Sequence, residues 1–149
     1  MVAEPFFRHF EDAAKAETRS LHLRGGRGDG VPDDDYAFVE SYCTDPGCDC
    51  RRVLLTVLAR SRGPVAVISF GFGRGEPLAG PFLDPLNPQS EYAQGLLALA
   101  KELVLSDPAY VARLERHYQM VKQKFARPAA PEPWWKRKSK KRRPRPPLP

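Results

Sequence analysis

At 149 residues the chain has room for one modest domain and not for two well-packed cores, and a 42% hydrophobic content is enough to fill that one. Its net charge of +6 is uneven: eight of the 24 Lys and Arg residues fall between Lys136 and Arg145, so positions 1–135 carry 16 basic against 18 acidic residues. No apolar run approaches the roughly 20 residues of a spanning helix, and no basic segment leads into a secretory apolar run, so a helical membrane protein is disfavoured and a cytoplasmic one expected.

In chain order, Glu4 to Ala16 places Phe6, Phe7, Phe10 and Ala14 at the spacing of a short amphipathic helix or an irregular docking arm. Thr18 to Arg24 alternates, with Leu21 and Leu23 opposite Ser20, His22 and Arg24, which predicts a half-buried strand. GGRGDGVPDDD then reads as an exposed loop, its Asp33-Asp34-Asp35 run hydrated rather than metal-binding because adjacent side chains diverge. Tyr36 to Tyr42 is the next strand, with Tyr36, Phe38, Glu40 and Tyr42 on one face. Arg51 to Arg60 and Pro64 to Phe72 follow as core strands joined by a turn at 61–63.

The sheet is expected to stop near Phe72, where GFGRGEPLAGPFLDPLNP interrupts regular structure repeatedly. Ser90 is read as the cap of a helix carrying Tyr92, Leu96, Leu99, Leu103 and Val104. Asp107 caps a second helix with Pro108 at its first position, and Val111, Leu114, Tyr118, Val121 and Phe125 form its apolar stripe. These elements predict an α+β fold: a small antiparallel sheet with two C-terminal helices on one side. Residues 1–127 are expected to form the single compact domain and 128–149 a Pro-rich, basic, disordered tail.

The chemical signal is YCTDPGCDCRRV, where Cys43, Cys48 and Cys50 stand at C-x4-C-x-C spacing. An odd count, clustered locally, argues for reduced thiols offered to a metal and against a disulfide framework. Asp45-Pro46-Gly47-Cys48 suits a tight turn with Gly47 at positive φ, returning Cys48 toward Cys43, while a separation of two points Cys48 and Cys50 the same way if the chain is extended. Three soft thiolates suit one structural Zn(2+) ion. His117, on the final helix, is the expected fourth ligand. His22, His9, Asp45, Asp49 and water are the alternatives, and one of Arg51 and Arg52 is placed to offset the formal −1 charge of such a centre.

YCTDPGCDCRR resembles the SEC-C and related SWIM-like zinc-binding motifs, in which closely spaced cysteines including a C-x-C pair are completed by cysteine or histidine. The stretch from 17 to 125 also resembles a small uncharacterised bacterial family bearing such a motif. The resemblance implies a structural zinc domain that presents an interaction surface to a macromolecule, with no catalytic reaction assigned.

A second class is nonspecific nucleic-acid binding by the tail. Lys136, Arg137, Lys138, Lys140, Lys141, Arg142, Arg143 and Arg145 attract phosphates, and Trp134 or Trp135 can stack on a base. A solvated basic tail is the plainer reading, and the two indoles are expected to dock on the body rather than on a partner. A zinc-dependent enzyme is the least favoured class, because three cysteines with a fourth protein ligand read as a closed structural site, and neither GGRGDG nor GFGRGEP has the setting of a phosphate or dinucleotide loop.

Overall fold

The computed structural model describes residues 2–26, 29–73, 78–128, 130–136 and 147–148. Its centre is an antiparallel meander of three long strands, β3 (Asp34–Cys43), β4 (Arg52–Ala59) and β5 (Gly63–Gly71). The alternation in β3 is realised as expected: Tyr36, Phe38, Glu40 and Tyr42 are buried, and they pack with Val53, Leu55, Val57 and Ala59 of β4 on one sheet face. Val39, Leu54, Thr56 and Leu58 lie on the opposite face and are only half-buried.

Gly63, at φ +75°, closes the β4–β5 hairpin in a conformation that a side chain would strain. A bulge follows at once, since Val57 pairs with Ala66 but Leu58 with Pro64. Val65 to Ser69 are consecutively buried, because the far edge of β5 is covered as well. There β6 (Phe82–Leu83) pairs with Ile68 and Ser69, and the chain beyond it continues the cover through Asp84 N–H to Val67 O, the Gln89 amide to both Val67 backbone groups, and Ser90 N–H to Val65 O. The sheet therefore extends past Phe72, contrary to expectation. A two-residue strand has no periodicity to read, and its pairing is set by distant partners.

On the other edge, β1 (Ala3–Pro5) pairs with Ser41 to Cys43 and β2 (Arg19–Leu23) with Asp34 to Phe38. Val39 and Glu40 lie between them without a strand partner on that side. The N-terminal segment is thus strand, 3-10 turn and helix in succession, with α1 (Glu11–Glu17) bridging the gap and Phe6 and Ala14 in the core. Asp34 and Asp35, expected in a loop, begin β3. Asp34 accepts a hydrogen bond from Ser61, while Asp35 holds His22, Arg24 and Arg60.

The helical layer packs on the Tyr36–Tyr42 face. The first helix, α2 (Ala93–Leu99), starts after Tyr92 with no side-chain cap, so Ser90 does not cap it. Gly95 lets the loop at 29–31 approach closely: a Cβ there would lie 2.6 Å from Val31 Cγ2 and 3.0 Å from Asp29 O. After α2 the chain widens into a π turn, Ala100–Val104, closed by Leu105 N–H to Ala100 O, and Val104 becomes the fully buried member of the pair with Leu103. The long helix, α3 (Pro108–Lys124), is capped by Asp107 Oδ1 on Ala109 N–H at 3.0 Å, with Pro108 in the first turn. Leu114, His117 and Val121 recur on its buried face, with Tyr110 one turn earlier.

No described helix is long and apolar enough to cross a membrane.

Candidate metal centre

The cysteine corner joins β3 to β4. Cys43 closes β3, is fully buried, and is held in register by Ala3 of β1 and by Thr44 N–H to Val2 O. The chain then reverses through a turn closed by Cys48 N–H to Asp45 O at 3.1 Å. Asp45 fixes this turn with its side chain, Oδ1 accepting Gly47 N–H at 2.8 Å, and Gly47 does not adopt positive φ. The expected type II geometry is therefore replaced by one that aspartate at the first position favours.

The outcome for the sulfurs is the expected convergence: all three Sγ atoms lie within 4.8 Å of one another. A tetrahedral zinc thiolate with bonds of about 2.3 Å sets its sulfurs about 3.8 Å apart, so a modest contraction would complete three corners. Electrostatics favours a cation at this point. A hydrogen bond from Cys50 holds the Cys48 thiol below its ordinary value, with Lys122 assisting, whereas burial and the neighbouring sulfurs push the Cys50 thiol up to about 12. Three thiolates in this space repel one another, and a divalent ion reverses that penalty.

The floor of the corner is α3. Glu115, Tyr118 and Lys122, spaced three and four apart, form one stripe of that helix. Glu115 accepts from Arg51 Nη2 at 2.7 Å, and Lys122 Nζ donates to Cys48 O at 2.7 Å and Asp45 O at 3.4 Å. Burial, with the nearby Cys50, Cys48 and Asp49, raises the Tyr118 phenol. Of the two arginines, Arg51 thus reaches across to α3. Arg52 lies on the other face with Leu54, donating to Ser69 Oγ at 2.7 Å and to Leu78 O and standing over the Phe82 ring.

His117 does not join the sulfurs, which corrects the expectation. One position before Tyr118, it points about 100° away around the helix. Its Nδ1 meets Glu40 Oε1 at 2.7 Å and its Nε2 meets Glu17 Oε2 at 2.8 Å, with the ring stacked on Phe6 at 4.2 Å. Both nitrogens are therefore committed to carboxylates. Glu40 also accepts from Tyr42 Oη at 2.5 Å, and Arg116 and Arg113 pair with Glu17 from outside. Partial burial pushes the Glu17 carboxyl up, but the His117 hydrogen bond and the charges of His117, Arg116 and Arg113 outweigh it and leave the group below 4.5. This chain of polar groups fills the gap between β1 and β2, where the sheet edge offers no strand to Glu40.

The other candidates are also accounted for. His9 pairs with Glu4 at 3.2 Å and meets the Phe125 ring edge-on, and His22 pairs with Asp35 at 2.8 Å. Among the described residues, no His, Asp or Glu joins the three cysteines in one group.

Trp134, Trp135 and Lys136 form a single 3-10 turn, with the indoles 78% and 68% exposed and perpendicular to each other. The expected docking of these rings on the body is not found, because the turn presents both to solvent. Arg137, Lys138, Lys140, Lys141, Arg142, Arg143 and Arg145 lie outside the described residues.

Glu40, Glu17, Tyr118 and Lys122 were not singled out as site residues from sequence. A signal for Glu40 was available: a carboxylate in the buried set of a strand requires a partner, and His117 is the polar member of the α3 stripe. No family model, curated protein or solved structure matches the chain. Its function is read from its own residues.

Proposed function

We propose that Cys43, Cys48 and Cys50 hold one structural zinc ion, and that the domain it braces presents a surface to a macromolecular partner. The observation that carries this reading is the convergence of three sulfurs within 4.8 Å at a corner that has no disulfide. Thiolates at that spacing suit zinc, which needs no particular d-electron geometry. The resemblance of YCTDPGCDCRR to SEC-C and SWIM-like motifs supports the same choice. Bound there, the ion would tie β3 to the start of β4 over Tyr118 and Lys122 of α3, elements far apart in sequence. The partner-facing surface would be the corner, whose Asp45, Pro46 and Gly47 are exposed, with the adjoining half-buried face of Leu54 and Leu58.

The test is metal analysis of the full chain purified without chelator. About one zinc per chain is expected from a mononuclear site; a folded, metal-free protein that takes up none on addition of zinc would sink the reading.

A second reading, nucleic-acid association through the C-terminal segment, is favoured by the exposure of Trp134 and Trp135 beside eight basic residues. Indoles stack on unpaired bases without base preference, and the charge makes affinity fall steeply with salt. Titration of single-stranded DNA at several salt concentrations checks it. Removal of residues 136–149 should abolish the salt-dependent binding, and binding that survives the deletion would place the contact elsewhere.

A further inference from the structure

We propose that the cysteine centre takes its fourth ligand from outside the chain, and that this ligand is a thiolate. The inference rests on the metal reading above and concerns what completes it.

Three observations point the same way. First, among the described residues the nearby donors are committed elsewhere: both His117 nitrogens face carboxylates, His9 and His22 are paired with Glu4 and Asp35, the Asp45 carboxylate closes its own turn on Gly47 N–H, and Glu115 holds Arg51. Asp49, although between two of the cysteines, is not grouped with them among the described residues. Second, the three sulfurs differ in depth. Cys43 is fully buried and Cys48 and Cys50 are half-buried, so the centre is anchored from beneath and a fourth donor arrives from the solvent side. Third, Lys122 places an ammonium at the corner, its Nζ reaching the Cys48 and Asp45 carbonyls, while Arg51 is paired with Glu115. A divalent ion with three thiolates has a formal charge of −1, and a fourth thiolate brings it to −2, which the Lys122 ammonium partly offsets.

The donor type follows from the same chemistry. A centre of three thiolates is soft and electron-rich, so it favours a further sulfur over a carboxylate or carbonyl oxygen. The exchange is balanced simply: the incoming thiol loses its proton to solvent, its sulfur binds the metal, and a water molecule leaves. A small free thiol and a cysteine side chain on a partner protein supply the same atom. The second source would make coordination itself part of recognition.

The full chain loaded with Co(II) in thiol-free buffer tests this by absorption spectroscopy. Titration with β-mercaptoethanol should raise the sulfur-to-cobalt charge-transfer band by about one third, one thiolate added to three, and shift the visible bands with one-to-one saturation. A parallel titration with a short cysteine-bearing peptide identifies the source: tighter binding of the peptide favours a partner side chain, and tighter binding of the free thiol favours a small molecule. A spectrum indifferent to both thiols overturns the proposal. So does a spectrum altered by Asp49→Ala before thiol is added, since a carboxylate would then hold the position. Failure to bind Co(II) or zinc at all is a separate result, and it removes the metal reading itself.

Discussion

The two polar clusters on either side of α3 solve the same problem in opposite ways. At Glu40, His117 and Glu17 every charged group has a protein partner, from Tyr42 inside to Arg116 outside. At Cys43, Cys48 and Cys50 the acidic groups have chiefly one another, and burial, with the neighbouring sulfurs, pushes the Cys50 thiol up to about 12. One cluster is closed by the sequence that builds it, whereas the other has the donors to hold a metal ion. Adjacent helix positions, His117 and Tyr118, separate them.

The sharpest way to break this contrast is to remove a sulfur. Cys43→Ser should reduce bound zinc from about one per chain to almost none and lower unfolding free energy by on the order of 5 kcal/mol, part of the ~10–16 kcal/mol apparent binding energy of structural zinc peptides, because this body retains a core of its own. Metal analysis with urea unfolding measures both. Chelation of the unaltered chain should reproduce the loss, and equal stability with and without chelator would mean that the corner does not brace the fold.

His117→Ala should behave differently. It leaves Glu40, only 4% exposed, without its ring partner, and a buried polar group that loses a hydrogen-bond partner costs about 1–3 kcal/mol. Zinc content should not change. Loss of zinc in a variant that remains folded would restore His117 as a ligand and reverse the assignment made from its two carboxylate contacts.

These two residues also show what was legible. The long strands announced themselves because β3 and β4 each bury alternate residues, and the cysteine corner because its three donors lie within eight positions. A helical stripe, by contrast, gives the buried face of α3 but not what lies opposite it. His117 falls between Leu114 and Val121 and is buried with them, yet its partners come from β3 and the end of α1, 77 and 100 residues away. The short strands β1 and β6 were hidden for a related reason. Three and two residues carry no period, and Pro5 is tolerable only because β1 lies at an edge. Leu103 and Val104 were both read on this helix, but that the π turn after Leu99 buries Val104 fully and leaves Leu103 partly buried is a rotation that regular 3.6-residue spacing does not rank.

Acid titration separates the clusters by smaller effects. Glu17 is held below 4.5 in the folded protein, so its contribution to stability is present above that value and is lost as pH falls through the folded one. Asp35 follows the same sign between 3.8 and about 2, through hydrogen bonds from His22 and Arg24. Glu17→Gln should therefore flatten the decline of the urea midpoint below about pH 4.5, and Asp35→Asn should flatten it further down. Metal affinity should fall with acid as well, since protons compete for the thiolates, but neither substitution should alter that dependence. A change in the pH profile of zinc binding in Glu17→Gln would show that the clusters are coupled through α3.

The smallest expected effect probes the contact between α3 and the corner directly. Lys122→Met keeps an apolar stem beside Tyr118 but removes the ammonium that donates to Cys48 O at 2.7 Å and Asp45 O at 3.4 Å. Loss of these partly exposed hydrogen bonds should cost about 1 kcal/mol. Zinc stoichiometry should be retained, because no ligand is lost, while transfer of zinc to a competing chelator should accelerate roughly five-fold, the kinetic equivalent of about 1 kcal/mol if the contact is broken on opening. An unchanged transfer rate would mean that the turn closed by Asp45 holds its shape alone, and that α3 serves the corner only through the packing of Tyr118.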